Sequence, residues 1–127
     1  MGQYLIDNNI ISNYFSGNFS KKAMIFIAEI IDDTPNISVI TQIEALSWIS
    51  IDKNKETIIE EFINDSNILN LTSDIVSETI KIRRSKKIKT PDAIIAATAI
   101  SNNLILITND SDFNKIQNLK LLNPFSL

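Results

Sequence analysis

Apolar residues along this chain fall into two alternating rhythms. Short, mostly apolar runs of strand length occur at Gln3-Tyr4-Leu5-Ile6, Ile37-Ser38-Val39-Ile40, Ile68-Leu69-Asn70-Leu71 and Leu104-Ile105-Leu106-Ile107, and Leu119 to Leu122 predicts a last edge strand. Between them the spacing turns helical. Ile10 to Phe15 opens a first helix that Ser16-Gly17-Asn18 stops, and Ser20 caps a second, Lys21 to Ile31, with Met24, Ile27, Ala28 and Ile31 on one face. Asp33-Thr34-Pro35-Asn36 reads as a turn. Thr41 is placed to cap a helix carrying Glu44, three residues on as in a capping box. Lys53 to Ile63 groups Ile58, Ile59, Phe62 and Ile63, and a further helix runs from Thr72 or Ser73 to about Arg84. Thr90 as N-cap and Pro91 at the first helical position open the next, whose Ala93 to Ile100 stretch is apolar nearly all round and so predicts burial against the sheet. Strands alternating with helices predict an α/β fold, a three-layer α/β/α sandwich on a central, mainly parallel sheet.

Composition narrows the chemistry. With 127 residues, 44% hydrophobic, only 2 Gly and 3 Pro, the expectation is one domain over residues 1–127 without a long linker. The longest apolar run, Ala23 to Ala28, is too short to span a bilayer, and the start Met1-Gly2-Gln3-Tyr4 has no secretory pattern, so a soluble cytoplasmic protein is expected. Cys is absent, which removes disulfides and thiolate nucleophiles. His is absent too, which removes Ser-His-Asp triads, paired-imidazole ribonuclease chemistry and ordinary zinc sites. A net charge of −3 and a pI of about 4.8 disfavour global attraction to nucleic acid; a polyanion would need a local basic patch and bound cations.

The acids carry the remaining signal. Asp7, Glu44, Asp92 and the pair Asp110/Asp112 each fall where a predicted strand ends or a helix begins. In an open α/β sheet the carboxyl ends of neighbouring strands converge on one crevice. Carboxylates gathered there repel one another unless cations lie between them, and hard divalent ions such as Mg2+ or Mn2+ take oxygen ligands of this kind. Each acid also has a local structural reading. Asp7 caps a helix, Asp92 complements a helix dipole, Glu44 closes a capping box, and Asp110 and Asp112 are turn residues. Caps alone give no reason for all of them to face one crevice.

The run Lys81-Ile82-Arg83-Arg84-Ser85-Lys86-Lys87-Ile88-Lys89 leads directly into Thr90-Pro91-Asp92, so it is expected beside that crevice. Arg83, Arg84, Lys86 and Lys87 then read as a grip on the phosphates of a polyanion, or else as a solvated helix end whose cations favour the C-terminal dipole. Trp48 follows Glu44 by one helical turn, to line the crevice or a partner groove, or to pack in the core or an interface.

Four stretches together resemble a known family. They are Tyr4-Leu5-Ile6-Asp7-Asn8-Asn9-Ile10-Ile11-Ser12, Ile37 to Leu46 around Glu44, Thr90 to Ala99 around Asp92, and Leu106-Ile107-Thr108-Asn109-Asp110-Ser111-Asp112-Phe113. In this order and spacing they look like the motifs of the PIN domain, and the length resembles the VapC-type toxins of toxin–antitoxin pairs. The likeness implies that Asp7, Glu44, Asp92 and Asp110 are the metal-binding and catalytic acids, with Asp112 as a frequent fifth member. Asn9 and Thr108 match supporting polar positions. Asn8 departs from the Thr, Ala or Ser more often found there, and the varying length of the Asp110/Asp112 segment leaves the fourth ligand open between those two.

The resemblance further implies hydrolysis of RNA phosphodiesters with Mg2+ or Mn2+, a cognate antitoxin, and a homodimer. Without His, the proton for the leaving group must come from water. Two other readings compete. A PIN-like RNA-binding or regulatory domain that no longer cleaves would usually lack one or more acids, and here none is missing. A response-regulator receiver wants an acid pair after its first strand and a Lys after a late one, where this chain has Thr108-Asn109-Asp110.

Overall fold

Leu5 and Ile6 are neighbours in the central strand and bury into opposite layers, as the pleat of a strand requires. The computed structural model describes residues 3–127. Its five strands are β1 (Tyr4–Ile6), β2 (Asn36–Ser38), β3 (Asn67–Leu69), β4 (Ile105–Ile107) and β5 (Lys120–Leu122), all parallel in the order β3-β2-β1-β4-β5. The six helices are α1 (Asn8–Phe15), α2 (Lys21–Asp32), α3 (Val39–Ser47), α4 (Lys53–Asn64), α5 (Ser73–Ser85) and α6 (Thr90–Ser101). Leu5 pairs with Leu106, and Ile6 with Ile107, so each side of the sheet receives a matched apolar pair.

Two cores result, one per face. Ile6, Ile37 and Ile107 pack with α1, α2, α4 and Ala45 of α3. Leu5 and Leu106 pack with α5 and α6, joined by Phe113 and Ile116. This is the expected three-layer sandwich. Helix α6 buries Ala93, Ile95, Ala96, Ala97, Thr98 and Ala99 nearly all round, because small Ala side chains let it lie close between α5 and the sheet. A fully buried Phe contributes roughly 1.5–3 kcal/mol, and Phe113, at 0% exposure, pins the short 3-10 turn Ser111–Lys115 to this core. Gly17 adopts φ 70 in the turn after α1, a conformation most side chains resist.

Several boundaries differ from the sequence expectation. Val39 and Ile40 belong to α3, not to β2. Ser38 is fully buried, and its hydroxyl accepts the Thr41 N–H at 3.1 Å, so the chain turns helical straight after Ser38. Thr41 therefore sits in the first turn rather than at the cap, and Glu44 lies six residues past the cap, too far to close a capping box. Lys89, not Thr90, occupies the N-cap of α6 and makes no side-chain cap bond. Strand β3 ends at Leu69 and leaves Asn70 and Leu71 to the loop. No helix among the described residues is long and apolar enough to cross a membrane.

A candidate acidic metal centre

The chain builds outward from β1 in both directions. β2 and β3 add on one side, β4 and β5 on the other, so the reversal falls between β1 and β4. At such a switch point the loops leaving the two strands splay apart and open a crevice. Asp7 leaves β1 there, and Thr108, Asp110 and Asp112 leave β4. The Asp7 N–H still donates to the Ile107 carbonyl at 3.1 Å, which holds the two exits together.

Asp7 is 7% exposed and is held at both oxygens. Its Oδ1 accepts the Asn8 N–H at 2.8 Å as the N-cap of α1, and its Oδ2 accepts the Thr108 hydroxyl at 2.8 Å. The Thr108 Oγ1 in turn accepts the Asp110 N–H at 3.1 Å, and Asp110 Oδ1 accepts the Asp112 N–H at 2.9 Å. A continuous hydrogen-bonded path thus runs from the end of β1 to the 3-10 turn. Asp92 enters from the first turn of α6, and one oxygen each from Asp92, Asp110 and Asp112 lie within 4.8 Å of one another. Glu44 projects from α3 and shares the field of Asp7 and Asp92.

The electrostatics record the crowding. Burial, above all, raises the Asp7 carboxyl; the Thr108 and Asn8 bonds oppose it, and Asp92 and Asp110 add to it. Asp92 is raised first by burial, then by Asp110 and Asp112, with Lys89 and Lys115 pulling the other way. Glu44 is largely solvent-exposed, yet loss of part of its hydration, followed by Asp7 and Asp92, raises it too. Among the described residues no Lys or Arg forms an ion pair with any of these five acids.

Asp92, Asp110 and Asp112 thus form one tight group, Asp7 is tied to it through Thr108, and Glu44 shares its field. The donors suit a hard divalent ion. Oxygen ligands at roughly 2.0–2.6 Å make a shell about 4–5 Å across, the spread the three aspartates already show. Asn9, on the first turn of α1, carries a buried Oδ1 with no hydrogen-bond partner, a further free oxygen two residues from Asp7.

The basic run divides. Arg83, Arg84, Lys86 and Lys87 line a cavity of about 420 Å³ at the α5–α6 turn, with none of the acids in its wall. Lys89 and Lys115, which sequence reasoning did not single out, are cations that favour the Asp92 anion. The signal available was spacing, since each lies three residues after an acid or before one: Lys89 to Asp92, and Asp112 to Lys115. Trp48 is 46% exposed, so it is not a core residue. With Phe15 and Ile58 it lines a groove of about 730 Å³ that Glu44 also borders.

The PIN domain family matches this chain over residues 4–119. Among solved structures, a chain in a toxin–antitoxin complex from Klebsiella pneumoniae is 30% identical, with TM-score 0.71 and coverage of 95% of this chain and 97% of that one. A chain in DNA-bound VapBC from Salmonella typhimurium is 20% identical with TM-score 0.79, covering 97% of this chain and 98% of that one. One in FitAcB from Neisseria gonorrhoeae is 21% identical with TM-score 0.76, covering 98% and 99%. No curated protein matches the chain significantly by sequence. With four motifs in order, a five-stranded parallel sheet and acids at its switch point, the chain belongs to the PIN domain family.

Proposed function

We propose that this chain is a divalent-metal-dependent endoribonuclease and the toxin of a toxin–antitoxin pair. The reading is supported by the acidic group of Asp92, Asp110 and Asp112 at the β1–β4 switch point, with Asp7 and Glu44 sharing its field and none of the five ion-paired among the described residues. Asp7, Glu44, Asp92 and Asp110 would hold Mg2+ or Mn2+, with Asp112 as a fifth ligand beside Asp92 and Asp110. When bound, such an ion supplies Lewis-acid activation of water and neutralises charge at the phosphorus.

The chain's own groups prepare that site. Thr108 and the Asn8 N–H fix the plane of the Asp7 carboxylate, and Asp110 orders Asp112 through its backbone N–H. Asn9, in the first turn of α1, would support the site as its neighbour in sequence, its buried amide oxygen having no hydrogen-bond partner. Arg83, Arg84, Lys86 and Lys87 grip RNA phosphates away from the cut. With neither His nor Cys in the chain, the leaving oxygen takes its proton from water.

Likeness to the Klebsiella pneumoniae complex supports the toxin role and an antitoxin partner. The groove beside Glu44, floored by Phe15, Trp48 and Ile58, would take an apolar helix face, and a basic side chain at its end would pair with the acids. A homodimer and a cytoplasmic location complete the proposal. The competing reading, a PIN-like domain that binds RNA without cutting it, is disfavoured because every expected acid is present.

The test is Asp92→Asn. It keeps the shape but loses an anionic ligand, so purified protein should lose Mg2+-dependent RNA cleavage by at least about a hundredfold while remaining folded, as expected when a ligand or its fixed geometry is lost. The growth defect expected on expressing the wild-type chain alone should vanish with it. Cleavage at the wild-type rate by the variant would refute the site.

A further inference from the structure

Positive charge is concentrated on this acidic chain. Lys81, Arg83, Arg84, Lys86, Lys87 and Lys89 make up six of the 12 Lys and Arg residues of a protein with net charge −3. The segment is nevertheless not one surface. Arg83 folds back, its Nε–H donating to the Ile88 carbonyl at 3.2 Å, and closes the turn on itself. Lys89 comes next in sequence but belongs to a different place. It stands at the N-cap of α6, one turn ahead of Asp92, with a side chain the helix does not use.

Lys115 reaches the same place from another element. It ends the 3-10 turn that Asp110 caps and Asp112 occupies. Both lysines are exposed, and the charge of each favours the Asp92 anion. Each also has an acid three residues away in sequence, the separation at which Lys53 and Glu56 of α4 close a 2.9 Å ion pair. Among the described residues neither Lys89 nor Lys115 makes such a pair. Each element that supplies the cluster therefore also carries one exposed lysine, and among the described residues neither is held in an ion pair with it. An incoming polyanion would be repelled by the acids, and these are the charges placed to offset that repulsion where the strand must lie.

We infer that Lys89 and Lys115 are positioning residues that hold RNA phosphates on either side of the one that is cut. The inference rests on the ribonuclease reading. Unlike the cavity at the α5–α6 turn, these two contacts would act at the crevice itself and set the register of the strand against the acids.

The experiment compares wild type with Lys89→Gln, Lys115→Gln, the double variant, and the Arg replacements at both positions. A fluorescent single-stranded RNA is titrated in EDTA over a range of salt, cleavage is followed with Mg2+, and Mn2+ binding is measured by calorimetry. Each Gln change should make the salt dependence shallower by about one unit, and the double variant should raise KM about tenfold with little change in kcat. Mn2+ affinity should hold or rise, since positive charge near the acids has been removed, and Arg should restore the salt slope. An unchanged slope and KM in the double variant overturns the inference, as does a fall in Mn2+ affinity with loss of thermal stability, which would make the lysines structural. If wild type binds RNA with the lysine-dependent slope but never cuts it, the ribonuclease reading fails while the phosphate contacts stand.

Discussion

Asp7 has committed both carboxylate oxygens to protein donors, and that defines what Thr108 does. The Thr108 hydroxyl donates to Asp7 Oδ2 and accepts from the Asp110 N–H, so one buried oxygen ties together acids from two strands. Thr108→Val keeps the shape and deletes both bonds. Leaving a buried carboxylate and a backbone N–H short of a partner costs about 2 kcal/mol at neutral pH. The variant should be destabilised by that amount in urea titration and should cleave RNA more slowly, whereas Thr108→Ser, which keeps the hydroxyl, should recover most of both. Equal behaviour of Val and Ser at this position would remove Thr108 from the site.

At the scale of elements, Glu44 depends on where α3 begins. Ser38 is completely buried, and its hydroxyl both accepts the Thr41 N–H and donates to the Thr41 hydroxyl at 3.2 Å. That cap starts the helix directly at the end of β2 and so decides which residues of α3 face the crevice. Ser38→Ala should cost about 1 kcal/mol, the usual loss of an N-cap, and lower Tm by a few degrees. Metal affinity should weaken with it if the cap holds Glu44 in place; calorimetry with Mn2+ reads that separately from the melting shift. Helix α6 differs, because its apolar surface fixes it all round and the missing side-chain cap at Lys89 matters less.

For the molecule as a whole, the crevice gathers negative charge that the fold itself does not neutralise, and pH should reveal this. Asp7, Glu44 and Asp92 have folded-state pKa values raised above their unfolded ones. Such groups contribute stability that is fully present below the unfolded values, 3.8 for Asp and 4.5 for Glu, and is lost as pH rises through the higher folded ones. Metal-free protein should therefore lose part of its stability as pH climbs out of the acidic range. Mg2+ or Mn2+ should restore it, with a larger rise in Tm at about pH 7.5 than at about pH 5, because the ion binds the ionised acids. Thermal melts in EDTA and in each metal across that range check this. A metal-induced shift of the same size at both ends would count against the acids as its source.

Much of this was written in the chain itself. Ile105 to Ile107 and Leu5-Ile6 are continuous apolar runs, which only a sheet covered on both faces accommodates, and the helical spacing of α4 and the Ala-rich length of α6 name the layers that cover it. Asp7, Glu44, Asp92 and Asp110 were legible as a group because each sits beside a strand end or helix start within a recurring motif. What stayed hidden depends on contacts between distant segments. Local propensity cannot tell whether Val39-Ile40 continues a strand or opens a helix; the buried Ser38 hydroxyl decides it. The bond from Thr108 to Asp7 joins residues 101 positions apart, and no spacing rule reaches that far. The basic run reads as one patch along the chain, yet the turn at Ile88 separates Arg83 to Lys87 from Lys89, and Lys115 acts on the same acid as Lys89 only because the 3-10 turn after β4 brings Asp110 and Asp112 against Asp92 of α6. Sequence determines which residues can bury and where the acids leave the sheet, since those follow from local periodicity. Which charges then stand together is decided by the packing of helices that are remote from one another in sequence.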